Sequence, residues 1–336
     1  MNSYERMTRF LRGEATDRLP FMPILMRFCA RYTGTKYRDF ILSPEEHCRS
    51  NIACANAFNS DWVNVMSDPY GELEAYGANI EYPENSLPLD KIILYQEARD
   101  LVRLPRLDMA AHPRLRGRLE ELRIFHRDLG CRQIICGWIE GPLAEYCDLR
   151  SLANACYDLY DYPAEMAAAM EIIHANARDF ATLQVQAGAN MIGIGDSACS
   201  QIGPEFYLKY GFPYEKKLIE HIHGLGALAK LHICGNTSAI LPDMIKTGAD
   251  IVDVDHLVTD MSPYPELLGP HQVLCGNLDP VRILQNGTPQ TIVQGAREAR
   301  QQTRGRLIMS GGCEITPDTP PENLAALARC CQLTMT

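Results

Sequence analysis

Short apolar runs recur along the chain, and each gives way at once to small, polar or charged residues. Eight stand out. The first, Arg18-Leu19-Pro20-Phe21-Met22-Pro23-Ile24-Leu25, leads into Met26-Arg27. Trp62–Met66 ends at Ser67-Asp68-Pro69, and Gln133–Trp138 at Glu140-Gly141-Pro142. Met191–Ile194 ends at Gly195-Asp196-Ser197, and Leu228–His232 at Cys234-Gly235. Ile251–Val254 ends at Asp255-His256, Gln272–Cys275 at Gly276-Asn277-Leu278-Asp279, and Leu307–Met309 at Gly311-Gly312-Cys313. Runs this short and this continuously apolar read as buried strands.

Helical periodicity fills most of the gaps. The chain opens with Met7, Phe10 and Leu11 on one face, Ser3 as cap and Gly13 as stop. A longer helix starts at Pro163 and places Met166, Met170, Ile173 and Ala177 on one side. Another follows Thr237-Ser238, with Leu241, Met244 and Ile245 inward and Gly248 closing it. Eight strands alternating with helices predict an α/β fold, a (β/α)8 TIM barrel with an N-terminal helix. The alternative is a doubly wound open sheet, and no G-x-G-x-x-G follows the first run to support it. The stretch from about 71 to 130 is long for one connection and carries Pro83, Pro88, Pro105 and Pro113. It predicts an insertion between strands two and three, with its own hairpin or helices over the barrel mouth. There is no internal repeat, low-complexity tract or linker, so residues 1–336 are expected to form one domain.

In such a barrel, reactive groups gather at the carboxyl ends of the strands. His232 and Cys234 alternate along a strand and project to one side. Cys313 arrives 79 residues later at the end of another strand. One imidazole and two thiolates suit zinc and leave a fourth position for water or substrate. The chain holds 13 Cys and 9 His, so a chance H-x-C pair is the competing reading. Buried cysteines often act as small hydrophobes, and Cys136 and Cys275 sit inside apolar runs.

Composition narrows the classes. A hydrophobic fraction of 46% and a charged fraction of 22% are globular. The net charge of −10 argues against nucleic acid. No apolar run approaches the ~20 residues of a membrane span, and Met1-Asn2-Ser3-Tyr4-Glu5-Arg6 lacks the apolar core of a signal peptide. The expected location is cytoplasmic, with free thiols rather than disulfides, a usage that suits an anaerobic interior.

The chain resembles the uroporphyrinogen decarboxylase superfamily over nearly its whole length, and within it the corrinoid-dependent methyltransferases. Met26-Arg27-Phe28-Cys29-Ala30-Arg31-Tyr32 is similar to the decarboxylases' M-R-Q-A-G-R-Y, whose arginines bind substrate carboxylates and would match Arg27 and Arg31. Asp68 matches the second-strand aspartate. Gly137-Trp138-Ile139-Glu140-Gly141-Pro142 replaces G-F-A-G-A-P. The decarboxylases' catalytic tyrosine falls on Asp148, with Tyr146 two residues short, and the Gln-Ala-Gly of the arginine motif is lost. The methyltransferase set H-x-C … C is intact at His232, Cys234 and Cys313, and Gly276-Asn277-Leu278-Asp279-Pro280 also fits the superfamily.

The resemblance implies a methyltransferase that uses Zn2+ and a corrinoid (cobalamin). No D-x-H-x-x-G corrinoid-ligating motif occurs in the chain, so the corrinoid would ride on a small partner protein. The other substrate would be a thiol acceptor, or a methoxy, methylamine or methylthio donor. Asp68 and Glu314 are the candidate catalytic acids, Glu314 either orienting the metal site or simply solvated. Arg27 and Asn277 would bind substrate. Asp196 reads as ligand contact or loop cap, and Asp255 and His256 as site groups or structural hydrogen-bonders. Two other readings stand: a metal-free tetrapyrrole decarboxylase built on Arg27, Arg31 and Asp68, or a non-catalytic barrel that binds a tetrapyrrole or a corrinoid protein.

Overall fold

The computed structural model describes residues 1–332. The opening helix spans Ser3–Leu11, and its cap is Asn2 rather than Ser3. Asn2 Oδ1 accepts the Glu5 N–H at 2.8 Å, because a capping side chain must stand one residue outside the helix to reach its free amides.

Strands form where the apolar runs lie, plus a small hairpin: β1 (Trp62–Asn64), β2 (Ile80–Glu81), β3 (Leu89–Asp90), β4 (Ile134–Glu140), β5 (Met191–Gly195), β6 (Leu228–Ile233), β7 (Ile251–Val254), β8 (Val273–Leu278) and β9 (Leu307–Gly311). Seven of them, β1-β4-β5-β6-β7-β8-β9, lie side by side in that order, and every pair is parallel. Helices pack on the sheet in most crossovers, while the β7–β8 connection is irregular, and the strands are buried on both faces, which is why they read as continuous apolar runs. β4, β8 and β9 extend past their apolar cores into Glu140, Asn277-Leu278 and Ser310-Gly311. The polar ends therefore remain held in the ladder.

The first apolar run does not become a full strand. It makes a single parallel bridge, Phe21 to Met309. Pro20 and Pro23 lack an N–H and cannot donate to a ladder, and a helix, Met26–Thr33, begins soon after. Arg27 thus rides a helix rather than ending a strand. The bridge still closes the ring. Met22 N–H donates to Met309 O at 3.0 Å, Met309 N–H to Pro20 O at 2.9 Å, and Asp61 N–H to Phe21 O at 2.8 Å. β9 and β1 are joined through this stave, and the sheet becomes a (β/α)8 barrel.

Between β1 and β4, β2 and β3 pair antiparallel, Ile80 opposite Asp90. A short helix, Ala98–Leu101, follows, and then Pro113–Leu129. That last helix packs on β4 as an ordinary crossover, so the added part of the stretch ends before it. No helix among the described residues is long and apolar enough to cross a membrane, and all thirteen cysteines are free.

The seam is fastened by Asp61, which is fully buried. Its carboxylate accepts from the Phe21 N–H at 2.8 Å, from Arg18 at 2.7 and 3.0 Å, and from Arg6 on the opening helix. One acid therefore ties the helix, the closing stave and the start of β1 together. Replacing it leaves two guanidinium groups short of a partner in a buried place. Asp61→Ala is expected to cost on the order of 3–5 kcal/mol, read as a lowered urea midpoint. A change below about 1 kcal/mol would show that the seam is held by other means.

Candidate metal centre

His232 is the next-to-last residue of β6, Cys234 follows that strand, and Cys313 follows β9. Two strands separate β6 from β9 in the sheet, so only the converging rim of a closed ring brings their ends together. His232 Nε2 lies 3.0 Å from Cys234 Sγ, and Cys234 Sγ lies 3.6 Å from Cys313 Sγ. The three donor atoms all fall within 4.8 Å of one another. Gly312 makes the approach possible, because a Cβ there would lie 2.2 Å from the His256 backbone nitrogen.

Below the thiols, His232 and Lys230 project from the same face of β6, and both meet Asp253 of β7. Lys230 Nζ is fully buried and bonded to Asp253, with the Trp62 ring 5.1 Å away on its other side. His232 Nδ1 sits 3.2 Å from Asp253 Oδ2, which leaves Nε2 turned to the sulfurs. Burial works against the Asp253 carboxylate, but Lys230 and His232 outweigh it and hold its pKa well below the usual range. Burial also pulls the His232 ring down, yet Asp253 and Cys313 outweigh it and hold it up at about 9. The hydrogen bond from Cys234, with His232 beside it, lowers Cys313 to about 4, while Cys234 is raised by the same contact and by burial. A metal binding here would displace the Cys234 thiol proton and the His232 imidazolium proton. An imidazole oriented by a carboxylate plus two thiols fits a three-ligand zinc site with one open position.

The remaining predicted residues sort into two groups. Glu314 is not simply solvated. Its carboxylate accepts the Arg27 backbone N–H at 3.0 Å and the guanidinium at 2.9 Å, so this pair locks the Cys313 turn to the helix Met26–Thr33. Asp255 holds the other turn, accepting Gly235 N–H at 2.9 Å and Leu257 N–H at 2.9 Å. His256 Nδ1 lies 2.8 Å from Asp255. Asn277 donates to Val258 O at 2.7 Å. Glu314, Asp255 and His256 stand next to the two cysteine-bearing turns.

Asp68 and Arg31 are engaged elsewhere, while Asp196 stands beside the end of β6, its N–H donating to His232 O at 3.0 Å. Arg31 pairs with Asp318 on the surface. Asp68 accepts from Ser67 at 2.7 Å, from Tyr70 N–H at 3.1 Å and from Arg114. Burial works against its charge, but Arg114 and Arg118 outweigh it and keep its pKa low. Asp196 accepts the Ala144 N–H at 2.7 Å and so caps the helix Pro142–Arg150, and it also lies with Cys199 and Glu215 in a buried group.

The sequence reading misses Lys230 and the acids around β4. A lysine inside Leu228-Ala229-Lys230-Leu231 is the signal that points to a buried partner. Glu140, Glu145 and Asp148 cluster behind β4, and neither carboxyl oxygen of Glu145 has a partner. A cavity of about 360 Å3 runs from Asp148 to Cys234 and Gly235.

The uroporphyrinogen decarboxylase (URO-D) family pattern matches residues 2–333. The chain belongs to that family. A methylcobamide:CoM methyltransferase of Methanosarcina mazei is 27% identical over 344 residues, covering 97% of this chain and 96% of the relative. A uroporphyrinogen decarboxylase of Trichormus variabilis is 26% identical over 338 residues, covering 95% and 94%. A solved methyltransferase from Methanosarcina mazei superposes with a TM-score of 0.89 at 23% identity, covering 98% of each chain. The fold is thus shared by both branches, and the site must separate them.

Buried carboxyls set the pH response of this member of the family. Burial raises Asp148 to about 8, Asp196 to about 7, and Glu121 and Glu215 to about 8. A folded pKa above the unfolded value of about 4 gives stability that is full at low pH and lost as pH rises through the folded pKa. The melting temperature is expected to fall between about pH 4 and pH 8, and Glu215→Gln should flatten that fall. A melting temperature that rises over this window contradicts the assignment.

Proposed function

We propose that the chain is a zinc- and corrinoid-dependent methyltransferase. It moves a methyl group between a corrinoid held by a small partner protein and a small substrate, either a thiol acceptor or a methoxy, methylamine or methylthio donor. The observation that carries this reading is the convergence of His232 Nε2, Cys234 Sγ and Cys313 Sγ on one point at the barrel mouth. The likeness to a methylcobamide:CoM methyltransferase supports it. The whole chain acts as one domain in the cytoplasm, without nucleic acid or membrane.

His232, Cys234 and Cys313 would hold the zinc. Bound there, zinc would supply Lewis acidity that favours the deprotonated form of a substrate thiol or hydroxyl. Asp253 orients His232, and Lys230 keeps Asp253 charged. Arg27 with Glu314, and Asp255 with Gly235, fix the two cysteine-bearing turns, so the donors need not reorganise. We assign Glu314 and Asp68 as positioning groups, each already paired to an arginine. His256 and Asn277 line the rim, where they can contact the incoming substrate. Docking on a partner protein would give a corrinoid an advantage of proximity to the bound substrate that the free cofactor lacks.

The decarboxylase reading keeps its place through the Trichormus relative. Against it stands the engagement of its arginines, Arg27 with Glu314 and Arg31 with Asp318.

Two measurements test the proposal. Cys313→Ala is expected to lose bound zinc, roughly one ion per chain in the parent, while keeping the parent's circular dichroism. A rim ligand contributes little to the core. Full zinc occupancy in the variant would contradict the ligand assignment. Anaerobic spectra of the cobalt should show methyl transfer with the cognate corrinoid protein faster than with free corrinoid, and none with Cys313→Ala. Conversion of uroporphyrinogen without any methyl transfer would favour the decarboxylase.

A further inference from the structure

The cavity that reaches Cys234 also exposes Asp148, on the helix Pro142–Arg150. Its other polar walls are Ser197, Ser200 and Gln201, and its volume of about 360 Å3 is that of a small-molecule site. A second cleft of about 300 Å3 shares Asp148 as a wall and is bordered by Asp90 and Lys91 of the added segment. Asp148 forms no hydrogen bond or ion pair among the described residues.

The charges around it are one-sided. Glu72, Asp90 and Asp196 act on Asp148 with like sign and, with burial as the larger cause, push it up to about 8. Glu140 and Glu145 lie close enough to feel it in turn. The cations on this side are taken: Arg114 by Asp68, Arg118 by Glu72, Arg150 by Asp158, and Lys91 by Glu81. No lysine, arginine or histidine lines the cavity that holds Cys234. An anion entering there would meet acids and no counter-charge. A half-buried carboxyl without a partner is poorly solvated, and an arriving cation offsets that while restoring the charged form.

We propose that Asp148 is the recognition residue for a cationic group on the substrate, so that the site takes small ammonium-bearing thiols or methyl donors in preference to neutral or anionic ones. The assignment rests on the metal-centre reading above, since it places the reacting end of the substrate at Cys234 and the charged end at Asp148. It separates this chain from a site built for a sulfonate- or carboxylate-bearing thiol.

The test is a charge series at constant size. Cysteamine, mercaptoethanol and mercaptoethanesulfonate are two-carbon thiols carrying a positive, zero and negative group. Their dissociation constants are measured by calorimetry on the zinc-loaded protein. Cysteamine is expected to bind roughly tenfold more tightly than mercaptoethanol, the scale of one charge-assisted contact, and mercaptoethanesulfonate most weakly. In Asp148→Asn the ratio of cysteamine to mercaptoethanol should collapse towards one. Tightest binding by mercaptoethanesulfonate, or an unchanged ratio in Asp148→Asn, overturns the proposal. If that variant does not fold, the order within the parent protein decides alone. Binding of none of the three thiols rejects the metal-centre reading itself, and this inference with it. Binding in the wrong charge order leaves that reading standing and removes only the role of Asp148.

Discussion

Ring closure is the constraint on which the rest depends. The ligands come from β6 and β9, which are not neighbours. In an open sheet their ends would lie far apart along one edge. Curling the sheet and joining β9 to β1 through Phe21 turns that edge into a rim. Asp61 secures the joint by binding Phe21, Arg18 and Arg6 at once. A defect at the foot of the barrel would therefore be felt at the mouth, as a misplacement of Cys313 relative to His232.

Two electrostatic regimes meet at that mouth. On the ligand side the charges are balanced in pairs: Lys230 with Asp253, and Arg27 with Glu314. Balanced pairs in a low-dielectric interior hold geometry, since separating them leaves an uncompensated charge. On the β4 side the acids outnumber their partners, and Glu140, Glu145 and Asp148 are pushed towards the protonated form by burial and mutual repulsion. The first side fixes the donors. The second is an imbalance that a bound molecule can relieve. Between them runs the cavity from Cys234 to Asp148, so one small substrate can touch both.

Much of this is legible in the amino-acid sequence. The apolar runs fall where strands form, because a barrel strand buried on both faces must be apolar throughout. The ligand set is legible because H-x-C is a strand-end spacing and Gly311-Gly312-Cys313 marks a tight turn. The first stave is the exception: its apolar content places it in the core and suggests a full strand, but Pro20 and Pro23 limit it to one bridge. The first cap is displaced by one residue from Ser3, because Asn2 is equally good at capping. The partners of charged residues are the hidden part. That Glu314 answers Arg27, or Asp253 answers Lys230, depends on which elements the ring brings together across long stretches of chain. Local sequence carries no record of that.

The central claim is a zinc centre with two sulfurs, one imidazole and an open position at the barrel mouth. X-ray absorption at the zinc edge tests it most directly. The expected shell is two sulfurs at about 2.3 Å and one or two nitrogen or oxygen atoms at about 2.0–2.1 Å, with a third sulfur appearing when a substrate thiol is added. A shell of oxygen and nitrogen alone, or one of four sulfurs that a thiol leaves unchanged, would contradict it.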